Sequence, residues 1–177
     1  GWLKPVSFPG IFLIFGSLAK VFGLAVIPFF TPIFGALGII FFYLLVKQLF
    51  ASRRIALISA GLLACFPVYL YYSARSMFHN ILFVSLVLMG LYFLFSLWER
   101  SLKKAKVSFW SLKFSLIDFV LAALAGSLFG LAVITRTSEL LWLAPLLGFL
   151  SLCYLRRWRI FSLLIFTAFL FLAIFPM

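Results

Sequence analysis

The sequence predicts an all-α integral membrane protein: a polytopic bundle of about six transmembrane helices with an N-terminal interfacial segment. Three observations carry that expectation. Hydrophobic residues make up 67% of the 177 and charged residues only 10%, more apolar surface than a soluble domain of this length can enclose. The apolar runs approach the ~20 residues that cross a bilayer as a helix. They also lack the period-two alternation of an outer-membrane strand, so the spanning elements are helices.

Taken in order, residues 1–23 are mixed: Pro5, Pro9 and Gly10 interrupt the start, and Lys20 follows a short apolar stretch. That length predicts an interfacial or re-entrant segment rather than a span. Residues 24–177 form the transmembrane domain, with spans expected at about 31–46, 55–71, 80–98, 116–134, 140–155 and 160–175. Pro28 and Pro32 stand near the start of the first span, where proline is tolerated. Pro67 falls in the last turns of the second and is expected to bend or end it. Gly35 and Gly38 in the first span, and Ala122, Gly126 and Gly130 in the fourth, form small-residue faces that let another helix approach. Cys65 and Cys153 lie in apolar runs and read as small buried hydrophobes rather than a disulfide or metal pair. The opening at Gly1 and the end at Met177, directly after an apolar run, suggest part of a longer protein.

The net charge of +12 is distributed unlike that of a nucleic-acid binder. Basic residues cluster at the ends of apolar runs, where they meet anionic lipid headgroups and set topology. One side receives Lys47, Arg53, Arg54, Arg100, Lys103, Lys104, Lys106, Lys113, Arg156, Arg157 and Arg159; the loops of the other receive only Arg75 and Arg136. The positive-inside rule then makes loops 47–54, 99–113 and 156–159 cytoplasmic. The turns at 72–80 and 135–139, and the segment with Lys4, face outward. A multi-pass location in the plasma (inner) membrane, in contact with membrane lipids, follows as the expectation.

The stretch Phe66–Asn80, FPVYLYYSARSMFHN, stands out between two apolar runs. It holds Tyr69, Tyr71, Tyr72, Arg75 and His79, the only histidine. An arginine on the side that avoids positive charge is suited to a phosphate or pyrophosphate through its guanidinium fork; equally, it can snorkel to lipid headgroups. Arg136 has the same two readings. Asn80 and Glu139 each begin a span, where an N-cap and a first-turn acid are favoured, with Thr137 or Ser138 as the second cap; the sharper reading is a polar pair facing a glycolipid headgroup. The tyrosines read as an interfacial belt in which one ring can stack on a sugar. Asp118 reads as an interfacial partner of Lys113 or a neighbouring basic residue.

Walker, dinucleotide-binding, HExxH and GxSxG patterns are absent from the sequence. His79 has no companions at metal-ligand spacing, so no metal ligands are assigned. The acids are Glu99, Asp118 and Glu139, and the first two fall on the cytoplasmic side, which leaves no carboxylate pair outside for acid/base work.

The pattern resembles the GT-C superfamily of polyprenyl-phosphate-dependent glycosyltransferases, in its protein O-mannosyltransferase-like and aminoarabinose-transferase-like branches. The residues that carry the resemblance are PVYLYYSARSMFHN (Pro67–Asn80), like a proline-containing span end and Tyr-Ser-x-Arg hinge; GLAVITRTSELL (Gly130–Leu141), like the family's glycine-rich span and Thr-Arg turn; the run at Leu155–Trp158; and the opening PVSFPGIFLIFGSLAKVFG. The resemblance covers nearly the whole chain, in order.

It implies transfer of a hexose or pentose from a polyprenyl-phosphate sugar lipid to a lipid, glycan or protein acceptor at the outer face. The substrate-binding residues it points to are Arg75, Tyr72, His79, Asn80, Arg136 and Glu139, with both arginines suited to the carrier phosphate. The catalytic base is expected upstream of Gly1. The cofactor stays open, a divalent metal among the options. Family members usually carry Asp or Glu where this chain has Asn80, which favours a second reading, a non-catalytic polyprenyl-lipid-binding relative or assembly subunit. A third, a small-solute transporter, predicts broken helices or ionisable groups at mid-membrane.

Overall fold

Proline and glycine punctuate the first half of the chain. The structure, a computed structural model, describes residues 9–105, 115–155 and 160–174; Lys4, Pro5, Lys106, Lys113, Arg156, Arg157 and Arg159 therefore lie outside the described residues. Helix α1 runs Pro9–Phe22. Gly23, at φ 89, and a short 3₁₀ turn at Leu24–Val26 lead into α2, Ile27–Phe50. Pro28 sits in its first turn, where the missing N–H is not needed, and Pro32 is carried inside the helix.

Helix α2 ends at Ala51, in the left-handed region at φ 49. Ser52 then caps α3, Arg53–Ala64, by accepting from the Ile55 N–H at 3.4 Å. The expected single span 55–71 is instead two helices. Phe66 is extended, as the residue before a proline prefers, and Pro67 opens α4, Pro67–Ser73. The two axes are bent by 63°. Cys65 is exposed at this break, not buried as the sequence suggested, because the chain turns there before it can pack the thiol.

Two long helices, α5, His79–Ala105, and α6, Leu116–Thr135, and the shorter α7, Leu140–Leu155, and α8, Ile160–Ile174, complete the chain. No strand occurs among the described residues. Among the described residues three helices are long and apolar enough to cross a membrane, or four if the bent α3–α4 pair is one span. Helices α1, α7 and α8 are apolar but shorter, so the described residues bear out the helical membrane class and not the full count of six.

Helix α6 is the central element: its most extensive packing is against α8 and α5, and α5 in turn packs on α2. Lipid tails are as apolar as leucine, so such helices associate through close packing rather than a hydrophobic drive. The small face of α6 supplies it. A Cβ on Gly130 would fall 2.5 Å from Ala173 Cβ and 2.7 Å from the Leu170 carbonyl oxygen of α8. Gly126 meets the backbone oxygen of Phe166 in the same way. Phe129 of α6 is fully buried between the neighbours, 6.0 Å from the Phe166 ring of α8 and packed over Gly90 of α5. Helix α1 buries Ile11, Phe15 and Ala19, with Gly10 lying on the backbone of Ile134 and Thr135.

One end of the bundle is tied by charge. Gln48 of α2 donates to Glu99 Oε2 of α5 at 2.9 Å and accepts from Ser96 at 3.3 Å; Lys103 pairs with Glu99 at 2.6 Å. Asp118, fully buried in the first turn of α6, faces Arg100 Nε at 3.6 Å. The opposite end carries the polar turns.

Candidate functional site

The second end of the bundle is built from the N-terminal part of α2, from α4, the start of α5, and the turn between α6 and α7. Helix α4 is seated by side-chain oxygens. The buried Tyr69 hydroxyl donates to the Gly35 carbonyl of α2 at 2.8 Å, and Ser73 donates to the Tyr69 carbonyl at 2.7 Å. Ser85 of α5 donates to the Phe34 carbonyl at 2.7 Å. The small face at Gly35 and Gly38 makes room for these groups: Cβ atoms there would lie 2.8 Å from Ser73 Oγ and 2.5 Å from Tyr69 Oη.

Residues 74–78 cross from α4 to α5. Met77 takes a positive φ of 55, in the left-handed region. Phe78 then donates its backbone N–H to the buried Thr31 hydroxyl at 3.3 Å, so the start of α5 is anchored to α2. This displaces the expected cap: α5 begins at His79, and Asn80 is inside its first turn rather than capping it.

The rings along this stretch form a ladder. Tyr71 and Tyr72 meet edge to face at 5.3 Å, Tyr72 stacks on Phe78 at 4.5 Å and 10°, and Phe78 stacks on His79 at 5.5 Å and 19°. Arg75 is exposed and lies over the Tyr71 ring, 4.4 Å from its centroid, with Nη2 donating to the Tyr71 hydroxyl. Among the described residues no carboxylate pairs with it.

Arg136 has different company. Its Nη1 donates to Asn80 Oδ1 at 2.9 Å and its Nη2 to Glu139 Oε1 at 3.0 Å. The other Glu139 oxygen accepts from the Trp142 indole N–H, and Trp142 meets Phe83 of α5 edge-on at 6.1 Å. Glu139 therefore does not act as a bare first-turn acid: it closes the short 3₁₀ turn Thr137–Glu139, which has no side-chain cap from Arg136 before it.

Of the six residues singled out in the sequence, Asn80 and Glu139 both contact Arg136, His79 precedes Asn80 at the start of α5, Tyr72 reaches His79 through Phe78, and Arg75 stands on the rim beside Tyr71. Phe78, Trp142 and Thr31 were not singled out. Trp142 follows Glu139 by three positions, a helical neighbour spacing that signals contact; Thr31 has no such local signal. Among the described residues no three His, Cys, Asp or Glu side chains gather to hold a metal ion.

Comparison with protein families matches residues 4–177 to the model described as dolichyl-phosphate-mannose-protein mannosyltransferase. The chain belongs to that family. Comparison with curated proteins and with solved structures finds no match. Membership of the mannosyltransferase family and the apolar helices together make this a multi-pass membrane protein of a glycosyltransferase family. In this mannosyltransferase-family chain that end of the bundle carries Arg136 held by Asn80 and Glu139, a ladder of rings, and Arg75 on its rim.

Proposed function

We propose that this chain is the central membrane portion of a glycosyltransferase that takes a sugar from a polyprenyl-phosphate carrier at the outer face and transfers it to a lipid, glycan or protein acceptor. The observation that carries this reading is the gathering of Arg75, Tyr72, His79, Asn80, Arg136 and Glu139 at one end of an apolar bundle, in a chain matched to a mannosyltransferase family over residues 4–177. The topology that goes with it puts the turns at 72–80 and 135–139 outside and loops 47–54, 99–113 and 156–159 in the cytoplasm of the plasma (inner) membrane.

In this mechanism an acceptor hydroxyl oxygen attacks the anomeric carbon and a new C–O bond forms with inversion. The bond from that carbon to the carrier phosphate oxygen breaks, and the phosphate leaves with the electron pair. Arg75, exposed and without a carboxylate partner, meets the charge that grows on the phosphate. The Tyr72–Phe78–His79 ladder offers a flat apolar face for a sugar ring. The acceptor proton goes to a base supplied by another part of the full protein.

Transfer from a polyprenyl-phosphate sugar, followed in the full-length protein in lipid bilayers, tests the reading. Arg75→Ala is expected to lower the rate at least tenfold, a loss on the scale of one charge-assisted contact. Wild-type protein that neither binds nor consumes any polyprenyl-phosphate sugar would sink it. A second reading, a polyprenyl-lipid-binding relative that does not transfer, is favoured by Asn80, an amide that cannot take a proton at neutral pH. Binding without turnover is its signature.

A further inference from the structure

Glu139 occupies the position in front of Arg136 that an anionic ligand would want. The chain has three acids, and the other two, Glu99 and Asp118, sit at the opposite end of the bundle. Glu139 sets one oxygen on Arg136 Nη2 at 3.0 Å and holds the other on the Trp142 indole N–H. Arg136 is also held by Asn80, while its Nε is enclosed and has no hydrogen-bond partner. A guanidinium fork takes a carboxylate and a phosphate through the same pair of parallel donors. The carboxylate belongs to a one-turn 3₁₀ stretch whose Thr137 and Ser138 are exposed, and so to a segment with little packing to hold it.

We infer that Glu139 is a built-in occupant of a phosphate seat at Arg136, and that a phosphate-bearing ligand binds there by displacing it. The inference rests on the proposed function for the ligand's identity, the phosphate of a polyprenyl carrier. Arg136 passes from the carboxylate to a phosphate oxygen, and the released carboxylate stays near Trp142. Asn80 keeps the guanidinium in place during the exchange. Arg75 and Arg136 thus differ: Arg75 has no carboxylate to give up, whereas Arg136 is neutralised until ligand arrives. A site whose competent state is only partly populated binds more weakly by that fraction, so the carboxylate lowers the resting affinity of the site and ties phosphate binding to movement of the 137–139 turn.

The test is an affinity measurement on the full-length protein in nanodiscs, with polyprenyl monophosphate and inorganic phosphate as separate probes. Glu139→Gln keeps an oxygen for the Trp142 N–H and removes the charge. It is expected to bind polyprenyl monophosphate about two- to fivefold tighter, as loss of one competing charge pair predicts. The gain should vanish when Arg136→Gln is added. Unchanged or weaker binding of both probes by folded E139Q overturns the inference, because a residue that merely braces Arg136 gives that result. If E139Q binds inorganic phosphate more tightly but no variant takes the polyprenyl lipid, the exchange stands and the proposed carrier fails. If neither probe gains affinity, the exchange fails whatever the carrier. Glu139→Ser replaces E139Q should the latter not fold.

Discussion

The Tyr69 hydroxyl of α4 is hydrogen-bonded to the Gly35 carbonyl of α2 at 2.8 Å, inside the apolar bundle. A short helix of seven residues is thereby fixed by a polar contact where lipid offers no alternative partner. Tyr69→Phe is expected to cost about 0.5–1.5 kcal/mol in unfolding from detergent or bicelles, the range of a net intramolecular or interhelical hydrogen bond. Gly38→Ala should cost about 1–3 kcal/mol by overpacking, since its Cβ would sit 2.5 Å from Tyr69 Oη and 2.8 Å from Ser85 Oγ. The methyl of Gly38→Ala meets the hydroxyl that Tyr69→Phe removes, so the double variant should lose less than their sum.

Glycines of the same sequence type should behave oppositely by position. Gly130→Ala drives a methyl into Ala173 and the Leu170 carbonyl and is expected to destabilise the α6–α8 pair by about 1–3 kcal/mol. Gly148→Ala and Gly61→Ala meet nothing within 4 Å. There the better helix propensity of alanine, up to about 1 kcal/mol, is the only term. A thermal-shift series in one detergent separates the two groups.

The buried Asp118 is the charged residue whose loss should be felt most. Asp118→Ala removes the partner of Arg100, whose side chain is 41% exposed. Breaking a fully buried pair costs about 3–5 kcal/mol; with one partner half in solvent, about 1–3 kcal/mol is expected. The effect should appear in stability and leave lipid-phosphate affinity at the other end of the bundle unchanged.

Ala51 holds a left-handed conformation at φ 49 between α2 and α3. Alanine there is strained by roughly 1 kcal/mol relative to glycine. Ala51→Gly is expected to raise the melting temperature, the reverse of the usual effect of adding glycine. A lowered melting temperature would show that the turn is not held in that conformation.

Helical class and the position of the polar turns were legible because both rest on local chemistry: apolar runs make helices, and a proline pushes the residue before it out of the α region. That same rule explains why the run over 55–71 breaks at Phe66, ahead of Pro67, so that proline starts a helix where the sequence suggested it would end one. The partnerships were not legible. Asn80 and Arg136 are 56 residues apart, and Thr31 and Phe78 are 47 apart; no spacing rule links such pairs. Local preference pointed to Asn80 as a helix cap, and tertiary contact with Arg136 won. Nor could the sequence separate Arg75 from Arg136, since an arginine looks the same whether a ring or a carboxylate lies beside it.

Gly10 rests on the backbone of Ile134 and Thr135, directly before Arg136, so α1 lies like a lever arm against the turn that carries the guanidinium. A tilt of that turn that displaces Ile134 and Thr135 would press on Gly10, and with it on the fourteen residues of α1. A spin label at Val21, which is 75% exposed at the far end of the arm, would therefore serve as a remote gauge of what happens at Arg136 without touching it.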